Sequence, residues 1–122
     1  MRQMAGSVLL ASVAALMAVP LADAEERTIR LTEEEKQYFR RISTDMDEIN
    51  ATMALHKMSD FLSRYYKKKV IILLDEYDTP MQEAYVEGYW EKLVSFTRSL
   101  FNATFKTNPF LERALMTGIT RV

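Results

Sequence analysis

The sequence predicts an α/β fold: two parallel strands of an incomplete sheet with flanking helices. Three observations carry this. The unbroken apolar run Val70-Ile71-Ile72-Leu73-Leu74 lacks polar alternation, which is how a parallel strand covered on both faces reads. A second run, Ala114-Leu115-Met116-Thr117-Gly118-Ile119-Thr120, reads as a short buried strand ending at Gly118. Between them Trp90, Leu93, Val94, Thr97, Leu100, Phe101, Thr104 and Phe105 recur at helical spacing. Strand, crossover helix and strand in this order form a right-handed βαβ unit whose strands run parallel.

The elements follow in order. Arg2 and the free amine precede an uncharged, mostly apolar stretch from Ala5 to Leu21, and Ala22-Asp23-Ala24 offers small residues where a signal peptidase reads. Residues 1–24 are therefore signal-peptide-like. The apolar stretch is at the lower limit for a spanning helix and Pro20 ends it, so no stable membrane span is expected. Composition turns charged after Glu25 and Glu26, which sets a boundary near residue 25 and one domain over 25–122. Thr32 and Glu35 form a capping box, predicting a helix over about Glu33–Ser43 with Tyr38, Phe39, Ile42 and Met46 at helical spacing. A second helix is predicted from about Asp47 to Tyr66, with Leu55, Met58, Leu62 and Tyr65 as its apolar stripe. After the first strand, Thr79-Pro80 predicts a turn and then a short helix near Met81–Glu87. The long helix over Tyr89–Phe105 stops at Thr107-Asn108-Pro109, since the residue before proline disfavours helix.

At 122 residues, 48% of them hydrophobic, the chain suffices for one core and not for two. A net charge of −1 with interspersed signs gives no electrostatic footprint for nucleic acid; Lys67-Lys68-Lys69, the only basic run, reads as the solvated lead-in to a strand. The absence of cysteine excludes disulfides, thiolate metal sites and cysteine nucleophiles. His56, the single histidine, has no acids at metal-ligand spacing and reads as a surface or core residue. The eight methionines read as packing.

The chemistry-bearing segment is Lys69-Val70-Ile71-Ile72-Leu73-Leu74-Asp75-Glu76, the shape of a Walker B strand. In nucleotide hydrolases such a strand holds two acids rigid at its end, one for Mg²⁺ and one to orient or deprotonate the attacking water. None of the three glycines, Gly6, Gly88 and Gly118, opens a G-x-x-x-x-G-K-[ST] phosphate loop. On the bare motif alone the bland reading, two solvated structural acids at a strand end, is the favoured one. A metal site made of Asp75, Glu76 and Asp78 is a weaker third reading, because consecutive strand-end acids point in different directions.

Four ordered blocks decide among these. They are Lys69 to Pro80 with its D-E-Y-D-T-P, Glu83 to Trp90, Phe105 to Pro109, and Leu111 to Val122 with its T-G-I-T-R-V. Together they resemble the AAA-ATPase-like family of bacterial proteins, which join a P-loop ATPase domain to a C-terminal PD-(D/E)XK nuclease-like domain. The resemblance runs from about residue 30 to the last residue. It implies a partial P-loop NTPase-like parallel sheet, with Val70–Leu74 as the Walker B strand and Ala114–Thr117 as the sensor strand, and it implies Mg²⁺ and ATP as cofactors. By that resemblance Asp75 holds Mg²⁺ and Glu76 is the general base. Thr117, Thr120 and Arg121 lie near the γ-phosphate, Thr117 being preferred because a strand end is held more rigidly than the loop after it. Asp78 belongs to the D-E-Y-D block with no assigned role and otherwise reads as a cap of the turn before Pro80; Arg98 and Arg113 read as solvated helix and turn positions, phosphate contacts only in an assembled ATPase.

The family's phosphate loop normally precedes residue 30, where this chain has its signal-like segment, and the family continues past the position of Val122. The expectation is a fragment of an ATP hydrolase, inactive alone, whose partner is the remainder of the ATPase or another chain at an open sheet edge beside Leu115 and Met116. The family resemblance implies the cytoplasm, whereas the N-terminal pattern implies export. The alternative function is accordingly a small exported α/β interaction module without catalysis.

Overall fold

The computed structural model describes residues 30–119 and the short strand Val13–Ala14. The remainder of the signal-like segment, the boundary near residue 25, and Thr120 and Arg121 lie outside the described residues. In chain order the elements are β1 (Val13–Ala14), α1 (Glu33–Arg41), α2 (Glu48–Tyr66), β2 (Val70–Leu74), α3 (Thr79–Glu87), α4 (Trp90–Phe101), a π-helical turn (Asn102–Lys106) and β3 (Leu111–Met116).

The cap at α1 forms as expected: Glu35 N donates to Thr32 Oγ1 (3.2 Å) and Thr32 N donates to Glu35 Oε2 (2.8 Å). Three glutamates in the first turn and two arginines in the last complement the helix dipole. The helix stops at Arg41, short of Ser43, and exposes Phe39 (55%). Tyr38 instead leans on α2, its hydroxyl donating to Asn50 O at 3.1 Å. Asp47 caps α2 by accepting from Asn50 N at 2.9 Å. The expected stripe is shifted, since Ala51, Ser59 and Phe61 are buried whereas Met58 is 41% exposed.

Both caps carry a pH signature. The Thr32 backbone bond, with help from Arg64, holds the Glu35 carboxyl below its ordinary value, and the Asn50 backbone bond does the same for Asp47. A lowered carboxylate contributes stability above its unfolded pKa and loses it as pH falls through the folded one. The melting temperature is therefore expected to fall between about pH 5 and pH 2. In a Glu35→Gln, Asp47→Asn double variant the slope over that range should flatten; an equally steep fall would assign it elsewhere.

Helix α3 begins two residues earlier than the turn signal suggests, because Pro80 sits in its first turn, where a missing N–H costs nothing. Gly88, at φ 78° with its N–H bonded to Ala84 O, ends it in the left-handed conformation. Helix α4 continues into the π-helical turn, and Leu93, Phe96, Leu100 and Thr104 are buried along one face. The hydrophobic core joins Met46, Ala51, Met81, Ala84, Leu93, Phe96 and Leu100.

Strands β2 and β3 pair in parallel, from Val70 opposite Leu111 to Leu74 opposite Met116, with a bulge at the start of the ladder. The α/β class and the parallel pair thus hold. Three details differ. A third strand, β1, lies antiparallel on the other side of β2, with Val13 opposite Leu74 and Ala14 opposite Leu73. Strand β3 starts at Leu111 and ends at Met116, so it includes Glu112 and Arg113 and stops before Thr117. Finally, neither strand is covered on both faces. Val70, Ile72 and Leu74 are buried, but Ile71 is 44% exposed, and beyond Leu111 every residue of β3 is exposed, Leu115 to 60%. The apolar run anticipated a second covering layer that the described residues do not supply.

Candidate functional site

The carboxyl ends of the parallel strands meet at a turn of acids. Beyond β2 the chain enters Asp75-Glu76-Tyr77-Asp78, and beyond β3 it enters Thr117-Gly118-Ile119. Thr117 N continues the ladder by donating to Leu74 O at 2.9 Å, and Tyr77 N donates back to Thr117 O at 3.1 Å. Both segments are thereby clamped before any side chain is considered.

Thr117 joins the two acids. Its hydroxyl donates to Asp75 Oδ1 and accepts from Glu76 N at 3.3 Å. Asp75 and Glu76 are both exposed, so their carboxylates face solvent at the strand ends rather than a closed core. Glu76 adopts φ 49°, the left-handed region, which is strained for any residue with a Cβ. Strain of this kind persists where the surroundings over-determine the backbone, and it concentrates at functional sites. Thr79 N donates to Glu76 O at 3.1 Å, so the strained residue is held from both sides. Replacing Glu76 by glycine is expected to stabilise the fold by about 0.5 kcal/mol, after glycine's own chain entropy is counted. A chemical denaturation midpoint that moves down would show that the Glu76 side chain contributes more than the strain costs.

Asp78, left without a role by the sequence, is 3% exposed and its Oδ2 accepts from Ile119 N at 2.9 Å. It therefore does not cap the turn before Pro80 with its side chain. This also separates it from Asp75 and Glu76, and no group of three His, Cys, Asp or Glu among the described residues is placed to hold a metal ion. The three-carboxylate metal site is not formed. Of the sequence-based site residues, the structure brings Asp75, Glu76 and Thr117 together; Arg121 lies outside the described residues. Arg98 and Arg113 are exposed, and among the described residues neither is paired with the acids. His56 packs its ring edge-on against Phe110, centroids 5.7 Å apart.

Sequence reasoning missed the close approach at Gly118. A Cβ built there would lie 2.7 Å from Asp78 Oδ1 and 2.7 Å from the Tyr77 ring. The available signal was a glycine directly after an apolar strand, which often marks another segment passing close by.

A family model described as a predicted AAA-ATPase matches residues 3–122. The chain belongs to the AAA-ATPase-like family. The match begins well before residue 30, and so takes in most of the segment that reads as signal-like as well as the four motif blocks. No curated protein and no solved structure gives a significant match. Membership in the AAA-ATPase-like family associates the chain with nucleotide and Mg²⁺ binding in general terms. Within the described residues no helix is long and apolar enough to cross a membrane.

Proposed function

We propose that the chain carries the acid and sensor half of an ATP-hydrolysing site and is inert until a phosphate loop is supplied. One observation carries the reading: the hydroxyl at the end of β3 is shared between the Asp75 carboxylate and the Glu76 amide at the end of β2. That is the arrangement expected of a Walker B strand beside a sensor strand.

The donor set fits Mg²⁺. This ion binds through one or two carboxylates, keeps several waters and takes its remaining ligands from phosphate. Thr117 engages one oxygen of Asp75, which leaves an exposed carboxylate oxygen for the ion. When bound there, Mg²⁺ would supply charge neutralisation and a template for phosphate. Glu76, one residue further on, would hold and deprotonate a water. Thr117 orients Asp75 and fixes the Glu76 backbone. The residues present do not fit the triphosphate itself, because no G-x-x-x-x-G-K-[ST] occurs in the sequence and phosphoryl transfer depends on positioning the phosphates. No catalytic step is assigned to the isolated chain. With Mg²⁺ and ATP it is expected to release no phosphate above the buffer rate; turnover that disappears in Glu76→Gln would overturn the inertness.

A second reading has its own observation. Strand β3 is an edge strand with Leu115 60% and Met116 37% exposed, and such an edge suits pairing with another chain. We propose, as the alternative to a cytoplasmic ATPase component, an exported interaction module that docks through this edge. Cleavage after Ala24 in cells would favour export, and a full-length cytoplasmic product would remove it.

A further inference from the structure

We propose that Asp78 is a positioning residue: its buried carboxylate latches the segment leaving β3 onto the acid turn and so sets where the Thr117 hydroxyl meets Asp75 and Glu76. Its catalytic consequence rests on the reading of Asp75 and Glu76 as reacting acids. Its structural content does not.

The position calls for a helix cap, but the side chain does something else. Asp78 precedes α3, and its backbone carbonyl accepts from Met81 N at 3.0 Å and Gln82 N at 3.1 Å. Aspartate at such a site ordinarily turns its carboxylate toward the helix amides. Here its side chain does not cap α3, and Oδ2 instead accepts from Ile119 N at 2.9 Å. A carboxylate that is 3% exposed is costly to bury unless donors satisfy it, and bonds to a charged acceptor are the stronger kind. The burial and the bond therefore go together.

Packing cannot hold Ile119, because its side chain is 96% exposed. The backbone bond to Asp78 fastens it. On the other side of Thr117 the ladder bond to Leu74 O, 2.9 Å, fastens the strand end. Thr117 thus lies between two anchors, and the Tyr77 N to Thr117 O bond at 3.1 Å is a third. Gly118 makes the approach possible: a Cβ there would collide with Asp78 Oδ1 at 2.7 Å and with the Tyr77 ring at 2.7 and 2.9 Å. With the backbone pinned in this way, the Thr117 hydroxyl is presented to Asp75 Oδ1 and to Glu76 N.

Amide hydrogen exchange followed by NMR on the full chain, without metal or nucleotide, tests the latch. In Asp78→Ala the amides of Ile119, Tyr77 and Glu76 are expected to exchange roughly tenfold faster, the loss of one bond to a charged group, while Leu93 and Leu100 keep their protection. Asp78→Asn, which retains an acceptor oxygen, should recover most of the protection. Should Asp78→Ala fail to fold, Gly118→Ala reads the same three amides by wedging the loop off Asp78. Wild-type exchange at Glu76 and Tyr77 in either folded variant would overturn the proposal, as would acceleration spread evenly over α2 and α4. A parallel Mn²⁺ titration separates the two readings. If wild type shows no Mn²⁺ effect at the acid turn while the exchange result holds, the latch stands and the ATPase reading fails.

Discussion

Phe96→Ala should lower the unfolding free energy by about 3–4 kcal/mol, the range for emptying an aromatic side chain from a close-packed core. Phe96 is 6% exposed and belongs to the cluster that joins α2, α3 and α4 through Ala51, Ala84, Leu93 and Leu100. Two of its companions, Ala51 and Ala84, are fully buried alanines, with little side chain to move into the vacated space. Domains of this size have about 5–15 kcal/mol in total, so the variant loses a large share of its stability. A loss under about 1 kcal/mol in urea denaturation would mean that the helices close up around the missing ring.

The second large effect has the opposite sign. Thr104 is fully buried in the π-helical turn, and its Oγ1 has no hydrogen-bond partner among the described residues. An unsatisfied buried hydroxyl costs about 1–3 kcal/mol, whereas an apolar group of the same shape does not. Thr104→Val is close to isosteric and should raise stability by about 1–2 kcal/mol. Destabilisation by the same amount would show that the hydroxyl is bonded after all. The turn invites the measurement because π-helical insertions are uncommon and recur at functional positions.

The capping box, the helix spacings and the acid pair were legible in the sequence because each is a local rule. Thr32 and Glu35 lie three residues apart, and Leu93, Leu100 and Thr104 recur on one helical face. The two-faced covering of β2 was not legible. An unbroken apolar run states what a strand requires, and Ile71 at 44% exposure shows that the described residues do not meet it. Phe96 was missed because the helical stripe was drawn through Thr97, whereas the buried face runs through Leu93, Phe96, Leu100 and Thr104. At the site, family resemblance picked out Asp75, Glu76 and Thr117, and the structure joins them. The role of Asp78 could not be read in advance, because it depends on a contact with Ile119 across 41 positions. Aspartate before a proline-containing first turn looks like a cap from sequence alone.

The proposed function requires the turn after β2 to be a metal-binding acid turn completed by the end of β3. Paramagnetic broadening by Mn²⁺, used in place of Mg²⁺, tests it on the full chain residue by residue. Broadening is expected to be confined to the amides of Asp75, Glu76, Tyr77, Thr117 and Gly118, and to be lost in Asp75→Asn. Broadening centred on the exposed acids of α1, Glu33 and Glu34, or broadening at the acid turn that survives Asp75→Asn, would contradict it.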